Sequence, residues 1–251
     1  MKTLSADVAI IGSGTAGMSA FRAAREHTKN VVLIESGPYG TTCARVGCMP
    51  SKLLIAAAEA AYRAHEAPIF GVHPGPVRID GNEVMQRVRS ERDRFVGFVV
   101  ETVDEWPADA KLRGEARFIA PGKLRVGDDI EIDAARVVIA TGSAPFIPPG
   151  WREKLGDRLI VNDDVFDWMT LPRSVGVVGG GVIGLELAQA LHRLGVRVRV
   201  LARKNRLGPL TDPELAAKTF EIMTTELSVS GDADTLSLTQ FLSFIIKKFA
   251  S

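Results

Sequence analysis

The only two cysteines of this 251-residue chain lie five residues apart, in the stretch GTTCARVGCMPSK at residues 40–52. Cys43 and Cys48 could form a structural disulfide, contribute to a metal site, remain as two inert buried thiols, or act as a redox couple. Zinc is the weakest of these alternatives because it needs four ligands. The four histidines are scattered, and no second Cys or His pair completes such a set.

The spacing of the two cysteines permits a disulfide only if the helix that begins here is distorted. Residues five apart in a straight helix rise about 7.5 Å along its axis, whereas a disulfide needs Cα atoms about 4.4–6.8 Å apart. Gly47 permits such a distortion. A helix N-terminus lowers the pKa of a thiol, and Lys52, one turn after Cys48, would favour a thiolate at Cys48. A reducible disulfide and two inert thiols both remain open at this point.

Two glycine-rich turns of the form G-x-G-x-x-G predict dinucleotide binding. Each follows a short apolar run typical of a buried parallel strand and precedes a segment with helical spacing. In such turns the first glycine allows a tight turn, the second lets the backbone approach a pyrophosphate, and the third lets helix and strand pack closely. Two dinucleotide sites in one chain favour electron transfer between a flavin and a nicotinamide. The glycines are Gly12, Gly14 and Gly17 in the first turn, and Gly179, Gly181 and Gly184 in the second.

The residue that closes each strand–helix–strand unit differs between the two turns. Glu35 lies 18 residues after Gly17, where an acid would hold a ribose hydroxyl. The corresponding position after the second turn is Ala202, followed by Arg203 and Lys204. An arginine in place of the acid accommodates a 2′-phosphate, which favours NADPH over NADH. A solvated basic turn is the alternative interpretation.

The elements around these motifs alternate between strands and helices, and a hairpin turn is predicted at residues 126–130. Short strands are expected between residues 111 and 132. The other predicted strands are 7–12, 31–35, 136–142, 174–179 and 196–201, and the predicted helices are 15–27, 48–66, 82–106, 182–194 and 213–226. This order predicts an α/β fold with two Rossmann-like, doubly wound dinucleotide-binding units, the second of them incomplete.

A cluster of prolines at residues 145–150 marks the predicted boundary between the two units. We expect an FAD-binding domain at residues 1–149, a partial NAD(P)-binding domain at residues 150–235 and an atypical tail at residues 236–251. The composition already changes from about Ser228, where Ser and Thr become frequent. The apolar residues of the tail could line one face of a packing helix, which is favoured over a membrane function.

Composition and charge exclude several classes of protein. Hydrophobic residues at 46% and charged residues at 24% are ordinary for a soluble globular protein. The net charge of +1 offers no electrostatic basis for binding nucleic acid or an acidic membrane surface. No apolar run approaches the ~18 residues of a membrane span. We therefore expect a cytoplasmic protein, in which a lone cysteine pair is more often redox-active or metal-binding than structural.

Four segments, in this order, resemble the flavoprotein disulfide reductases, which include dihydrolipoamide dehydrogenase, glutathione reductase and mercuric reductase. They are GSGTAG with its Glu35, TTCARVGCMPSK, ATGSAP at residues 140–145, and GGGVIGLE at residues 179–186. The resemblance covers roughly residues 6–226. It implies an NAD(P)H–disulfide oxidoreductase with FAD and NAD(P)H as cofactors and a redox-active disulfide between Cys43 and Cys48.

The resemblance also implies roles for individual residues. Cys48 would lie against the flavin and Cys43 would exchange with the substrate, while Lys52 and Glu186 would form a charge pair near the flavin. The positions that match FAD-binding residues are Gly12, Gly14, Gly17, Glu35, Lys52, Ala116 through its backbone, Thr141, Gly142 and Ser143. Those expected at the NAD(P)H site are Gly179, Gly181, Gly184 and Arg203.

The segment Pro50-Ser51-Lys52 resembles the lipoamide branch more than the glutathione branch, which usually has lysine in place of the serine. This implies a small dithiol or disulfide, or a lipoyl domain, as substrate. Two positions depart from the family pattern: Thr41 stands where a second glycine is usual, and Arg45 where asparagine is usual.

Family members also run further than this chain. They end in a dimerisation domain with a His–Glu pair that acts across a homodimer, whereas no histidine follows His192 here. Our interpretation from the sequence is a truncated product with little dihydrolipoamide dehydrogenase activity and residual dye reduction. A non-catalytic nucleotide-binding fragment is the alternative.

Overall fold

The computed structural model describes residues 1–203 and 206–230. They form two compact units, one of residues 1–49 and 91–145, the other of residues 50–90 and of residues from 146 onward. The strands are β1 (Lys2–Ile11), β2 (Val31–Glu35), β3 (Lys111–Arg113), β4 (Ala116–Ala120), β5 (Lys123–Val126), β6 (Ile130–Ile139), β7 (Ser174–Val178), β8 (Arg197–Leu201) and β9 (Ser228–Ser230). The α-helices are α1 (Thr15–Arg25), α2 (Thr42–Val46), α3 (Cys48–Glu66), α4 (Gly81–Asp104), α5 (Trp151–Leu155), α6 (Val182–Arg193) and α7 (Pro213–Glu226).

The first unit is built on a six-stranded sheet in the order β3-β2-β1-β6-β5-β4. Strands β3, β2, β1 and β6 are parallel, and β6, β5 and β4 form an antiparallel meander. Successive residues of a strand face opposite sides of a sheet, so Ala9 and Ile10 belong to different apolar clusters. The carboxyl ends of β1, β2 and β6 lie along one edge, which is where such sheets bind ligands.

The second unit contains a three-stranded parallel sheet in the order β7-β8-β9. Helix α6 connects β7 to β8 and buries Leu187, Ala188 and Leu191. Helix α7 begins as predicted, since the Asp212 side chain accepts hydrogen bonds from the backbone N–H groups of Glu214 and Leu215. The α/β fold with two parallel-sheet units of the dinucleotide-binding type, predicted from the sequence, is confirmed.

The sequence underestimates how early β1 and β6 begin and misses β9, because the pairing of these strands is long-range. The first five residues of β1, Lys2–Ala6, pair in parallel with Ile130–Ala134, so both β1 and β6 begin well before their most apolar segments. Residues Ser228–Ser230 pair with β8 as strand β9. The change in composition at Ser228 therefore does not mark the end of the fold.

The predicted domain limits at residues 149 and 235 stay predictions. The tail at residues 236–251 and its expected helix face lie outside the described residues, and so does Lys204. Within residues 1–203 and 206–230, no helix combines the length and the apolar character needed to cross a membrane.

Candidate functional site

The first glycine-rich turn joins β1 to α1 at the carboxyl edge of the first sheet. Gly12 has a φ of +101°, which side chains rarely adopt, and a methyl group on Gly17 would collide with the carbonyl oxygen of Gly12. A methyl group on Gly14 would meet nothing within 4 Å. Among the described residues no side chain caps α1, and its first turn contains no acid. The turn therefore leaves open space and a partial positive charge for an anionic group.

Glu35, at the end of β2, is held beside this turn by Ser13. The backbone N–H and the hydroxyl of Ser13 both donate to Oε2 of Glu35, at 2.7 and 2.8 Å, and the N–H of Gly37 donates to Oε1 at 2.7 Å. Burial alone would raise the pKa of Glu35, but these hydrogen bonds and the charge of Arg113 together hold that pKa below its usual value. The carboxylate is thus ionised, and Oε1 keeps capacity to accept a further hydrogen bond.

We expect the Ser13→Ala variant to raise the pKa of Glu35 and to lower the free energy of unfolding by about 1.5–3 kcal/mol at neutral pH, the scale of a hydrogen bond to a charged group. A depressed folded-state pKa contributes stability above the unfolded pKa and loses it as the pH falls through the folded value. The deficit should therefore shrink in acid, which urea titrations at several pH values would measure. Ser19→Ala is the matched control, because Ser19 is exposed and its hydroxyl bonds only its own helix, at Thr15 O; an equal deficit there would contradict the prediction.

The end of β6 lies directly beside the first turn. The N–H of Ala140 donates to the carbonyl of Ile11 at 2.8 Å, and the carbonyl of Ala140 is the group that a side chain on Gly12 would strike. Thr141, Gly142 and Ser143 follow as an exposed loop.

Ala116 lies further along the chain, at the start of β4. It comes two residues after Gly114, whose N–H donates to the carbonyl of Glu35 at 3.0 Å. Lys52 belongs to the cysteine segment. The other predicted FAD-binding residues thus lie in the same region of the sheet in the first unit.

The two cysteines lie where one helix stops and another begins. Helix α2 ends at Gly47, whose φ of −130° and ψ of −121° break the helix, and α3 starts at Cys48. Cys43 is half-buried, Cys48 is exposed, and both are in the reduced thiol form. Their side chains are joined by a hydrogen bond. The exposure of Cys48 excludes a pair of inert buried thiols, while the disulfide stays a prediction for the oxidised protein.

The pKa of the Cys43 thiol is raised. Burial is the largest cause, followed by the hydrogen bond and the like charge of Cys48, and backbone N–H groups of Cys48 and Met49 offset only part of this. Desolvation of Cys43 thus outweighs the backbone donors.

Thr41, one of the two departures from the family pattern, has a structural role here. It is buried, and its hydroxyl accepts a hydrogen bond from the N–H of Ala44 at 3.1 Å, which caps α2.

Within the described part of the chain, no group of three or more His, Cys, Asp and Glu side chains is arranged to hold a metal ion.

Lys52 and Glu186 form an ion pair in the second unit. Nζ of Lys52 lies 3.1 Å from Oε1 of Glu186, and the two side chains are 65% and 29% exposed. Burial alone would raise the pKa of Glu186, but hydrogen bonds from Ser51 and Lys52 and the charge of Lys52 keep it below its usual value. Lys52 lies one turn after Cys48 on α3, so this helix carries both the thiol and the cation.

The second glycine-rich turn repeats the geometry of the first. Gly179 has a φ of +111°, and its N–H donates to the carbonyl of Leu201 at 2.9 Å. A side chain on Gly184 would strike the carbonyl of Gly179, whereas one on Gly181 would meet nothing within 4 Å. No side chain of the described residues caps α6. This turn also leaves room for a pyrophosphate at a helix N-terminus.

The end of β8 lacks the acid that Glu35 provides at the end of β2, as predicted from the sequence. Ala202 is fully buried, so the position that carries an acid in the first unit offers no polar group here. Arg203 follows it as an exposed side chain. Because β7 and β8 are parallel neighbours, Arg203 and the turn at Gly179 lie at the same edge of the sheet.

Comparison with known proteins identifies the family. Residues 6–230 match the model of the pyridine nucleotide-disulphide oxidoreductases. The chain belongs to this family. The resemblance to flavoprotein disulfide reductases predicted from the sequence is confirmed.

Individual relatives within the family carry different names. The chain is 36% identical over 222 residues to a dihydrolipoyl dehydrogenase of Bacillus subtilis, covering 84% of this chain and 46% of that one. It is 37% identical over 220 residues to a mercuric reductase of Serratia marcescens, covering 83% and 46%. A solved structure of the HOCl-induced flavoprotein disulfide reductase RclA from Escherichia coli matches with a TM-score of 0.73 at 25% identity, covering 90% and 49%. The chain thus spans about half the length of these relatives.

Pyridine nucleotide-disulphide oxidoreductases use FAD and NAD(P)H, and the residues of this chain fit both groups. In the first unit the open space beside Gly14, the uncapped helix and the ionised Glu35 suit a pyrophosphate and a ribose. In the second unit the open space beside Gly181 and the exposed Arg203 suit a phosphorylated ribose. The assignment of individual residues to each group stays a prediction.

Sequence reasoning missed three residues that shape the site in this pyridine nucleotide-disulphide oxidoreductase. Ser13 holds Glu35, Ser51 donates to Glu186, and Arg193 lies in a partly buried ionic cluster. Ser13 and Ser51 both stand inside motifs that were recognised. Their partners, however, are 22 and 135 residues away along the chain, so no local pattern could reveal them.

Proposed function

We propose that this chain forms the redox part of an FAD-dependent NAD(P)H–disulfide oxidoreductase of the dihydrolipoamide dehydrogenase type. The observation that carries the proposal is the pair formed by Cys43 and Cys48, two thiols in direct contact at a helix break. They are the only cysteines of the chain, and they follow a glycine-rich turn that fits a dinucleotide.

The cysteine pair supplies the two-electron step. Reduction of a disulfide between Cys43 and Cys48 breaks the S–S bond with two electrons, and uptake of two protons leaves two thiols. FAD, when bound, carries electron pairs between the nicotinamide and these thiols. Because burial and Cys48 raise the pKa of Cys43, Sγ of Cys43 holds its proton in the reduced pair. The resemblance assigns Cys43 to the substrate and Cys48 to the flavin.

Lys52 and Glu186 contribute a fixed charge pair one turn from Cys48. Glu186 is ionised, since Ser51 and Lys52 both donate to its carboxylate. We propose that this pair lies near the flavin, as the resemblance implies. There Lys52 would present a positive charge, and Glu186 would keep its ammonium group oriented.

We propose a small dithiol of the dihydrolipoamide kind, free or on a lipoyl domain, as the substrate. Support comes from Ser51, whose buried hydroxyl donates to Glu186 at the position where the glutathione branch usually has lysine. The mercuric reductases among the relatives, up to 37% identical, make Hg²⁺ the competing substrate. Parallel assays with dihydrolipoamide and with Hg²⁺ under identical conditions decide between them. We further propose that the protein acts in the cytoplasm.

The proposed activity is tested by supplying FAD to the purified protein. We expect a yellow protein with a flavin spectrum that catalyses reduction of a dye by NAD(P)H. A colourless protein that does not reduce the dye would refute the proposal and favour the alternative, a non-catalytic nucleotide-binding fragment. The dye assay does not involve the cysteines, so it tests flavin and nicotinamide binding apart from the thiol chemistry.

We predict that NADPH binds better than NADH and that Arg203→Glu reverses the preference. The exposed Arg203 would pair with the 2′-phosphate of NADPH, whereas a glutamate would repel that phosphate and accept from the ribose hydroxyl of NADH. Dissociation constants of both nucleotides for both proteins measure the effect. Arg197→Glu, on the amino end of the same strand, is the control and should leave the ratio unchanged. Equal binding of both nucleotides before and after the change would refute the assignment.

A further inference from the structure

Two ion pairs join α3 to α6 at positions one heptad apart on both helices. Lys52 contacts Glu186, and seven residues further along each helix Glu59 contacts Arg193. Seven residues rise about 10.5 Å and complete almost two turns, so each helix presents both of its charges on nearly the same face. From the first pair to the second, the residue numbers increase by seven on both helices. Helices α3 and α6 therefore run parallel along this stretch.

The positive residue lies on α3 in the first pair and on α6 in the second. This alternation of charge disfavours other arrangements of the two helices. In an antiparallel arrangement Lys52 would face Arg193 and Glu59 would face Glu186, so both pairs would carry like charges. A slip of one heptad in either direction would also bring two like charges together. The pattern thus favours a single orientation and a single register.

Buried small side chains line the space between the two pairs. Ala58 on α3 and Ala190 on α6 are 1% and 3% exposed. Together with Ile55 and Gln189 they line a cavity of about 50 Å³ that reaches from Glu186 to Arg193. This cavity spans the distance between the two ion pairs.

The pair formed by Glu59 and Arg193 is the better anchored of the two. Arg193 is 15% exposed, and Glu226 of α7 accepts from its Nε at 2.6 Å and from its Nη2 at 3.2 Å. The guanidinium also lies 4.0 Å from the ring centre of Tyr62. Hydrogen bonds to Glu226 are the main reason that the pKa of Arg193 is raised. Lys52, by contrast, is largely exposed, and exposed ion pairs contribute little by themselves.

We propose that Glu59 and Arg193 are positioning residues: they set the register of α3 against α6 and so hold Lys52 in contact with Glu186. Neither residue contacts that pair directly. The register is a property of the chain alone. Its importance for catalysis rests on the proposed function, which places Lys52 and Glu186 near the flavin.

The test is the titration of Glu186 in the Glu59→Gln variant, in the absence of FAD. Lys52 on α3 is the charged partner of Glu186. Around the second pair, Glu59 also contacts Arg63 of its own helix, and Arg193 contacts Glu226 of α7, beside which His192 lies. Removing the negative charge of Glu59 without moving the helices would lower the pKa of Glu186. Losing the register separates Glu186 from Lys52 and raises that pKa. We expect an upward shift, which charge alone cannot produce.

The measurement uses protein with isotope-labelled glutamate, with the Glu186 resonance assigned from its absence in Glu186→Gln. Glu226→Gln is the control, because it makes the same charge change at Arg193 but leaves the contact between α3 and α6; it should not raise the pKa. Glu59→Asp keeps the charge but shortens the side chain, and should also raise it. An unchanged or lowered pKa in both Glu59 variants, with native circular dichroism, overturns the proposal. Since no cofactor is present, failure of the proposed function would leave this result unaffected.

Discussion

The Gly17→Ala variant is expected to unfold at a clearly lower urea concentration than the wild type and to lose flavin binding. A methyl group at Gly17 would strike the carbonyl oxygen of Gly12, which is held in turn against the end of β6. Backbone atoms cannot rotate away as a side chain can, so helix α1 must move off the sheet. Overpacking of this kind typically costs about 1–3 kcal/mol. It also displaces the helix N-terminus that would face the pyrophosphate.

The same substitution at Gly97 provides the matched control. Gly97 lies inside α4, and a methyl group there would meet nothing within 4 Å. Replacing a helix-interior glycine by alanine stabilises by about 0.5–1 kcal/mol. The two Gly→Ala changes should therefore shift the urea midpoint in opposite directions. Destabilisation of similar size at both positions would show that the close approach at Gly17 is not the cause, and undiminished flavin binding in Gly17→Ala would contradict the proposed FAD site.

Replacing either Cys43 or Cys48 by serine is expected to remove one whole two-electron equivalent from the protein. With FAD bound, the oxidised wild type should accept one electron pair at the flavin and a second at the disulfide. A serine variant cannot form the S–S bond, so only the flavin pair remains. Anaerobic titration with dithionite, followed by the flavin absorbance, measures the difference. Dye reduction by NAD(P)H should survive in both variants, because that reaction bypasses the thiols.

Met49→Leu is the control for this titration. Met49 lies next to Cys48 and carries a sulfur that does not form disulfides, and leucine has a similar volume. This variant should accept the same number of electrons as the wild type. Thiol counts on denatured protein give an independent measure, with no free thiols before reduction and two after it, since the chain has two cysteines. Two free thiols in air-oxidised, folded protein would contradict the redox role of the pair.

Local sequence patterns predicted most of the fold because they are set by neighbouring residues. The start of α7 follows from Asp212 and Pro213, and the break between α2 and α3 falls at Gly47, as the requirement for a distorted helix suggested. The hairpin between β5 and β6 spans the predicted turn. What these patterns could not predict is strand length where pairing is remote, as in the first half of β1, which pairs with β6 more than 120 residues later.

By itself the sequence determined the chemistry that is present: two glycine-rich turns, an acid after one and arginine after the other, and a single pair of cysteines. Only the tertiary structure decided how those groups behave. It raised the pKa of Cys43 through burial, which outweighs the nearby backbone N–H groups. It also brought Glu59 and Arg193 together from 134 positions apart. Residue types and their spacing define which groups can react. The charge and position of each group depend on its burial and on partners far away in the chain, and both arise only when separate segments pack.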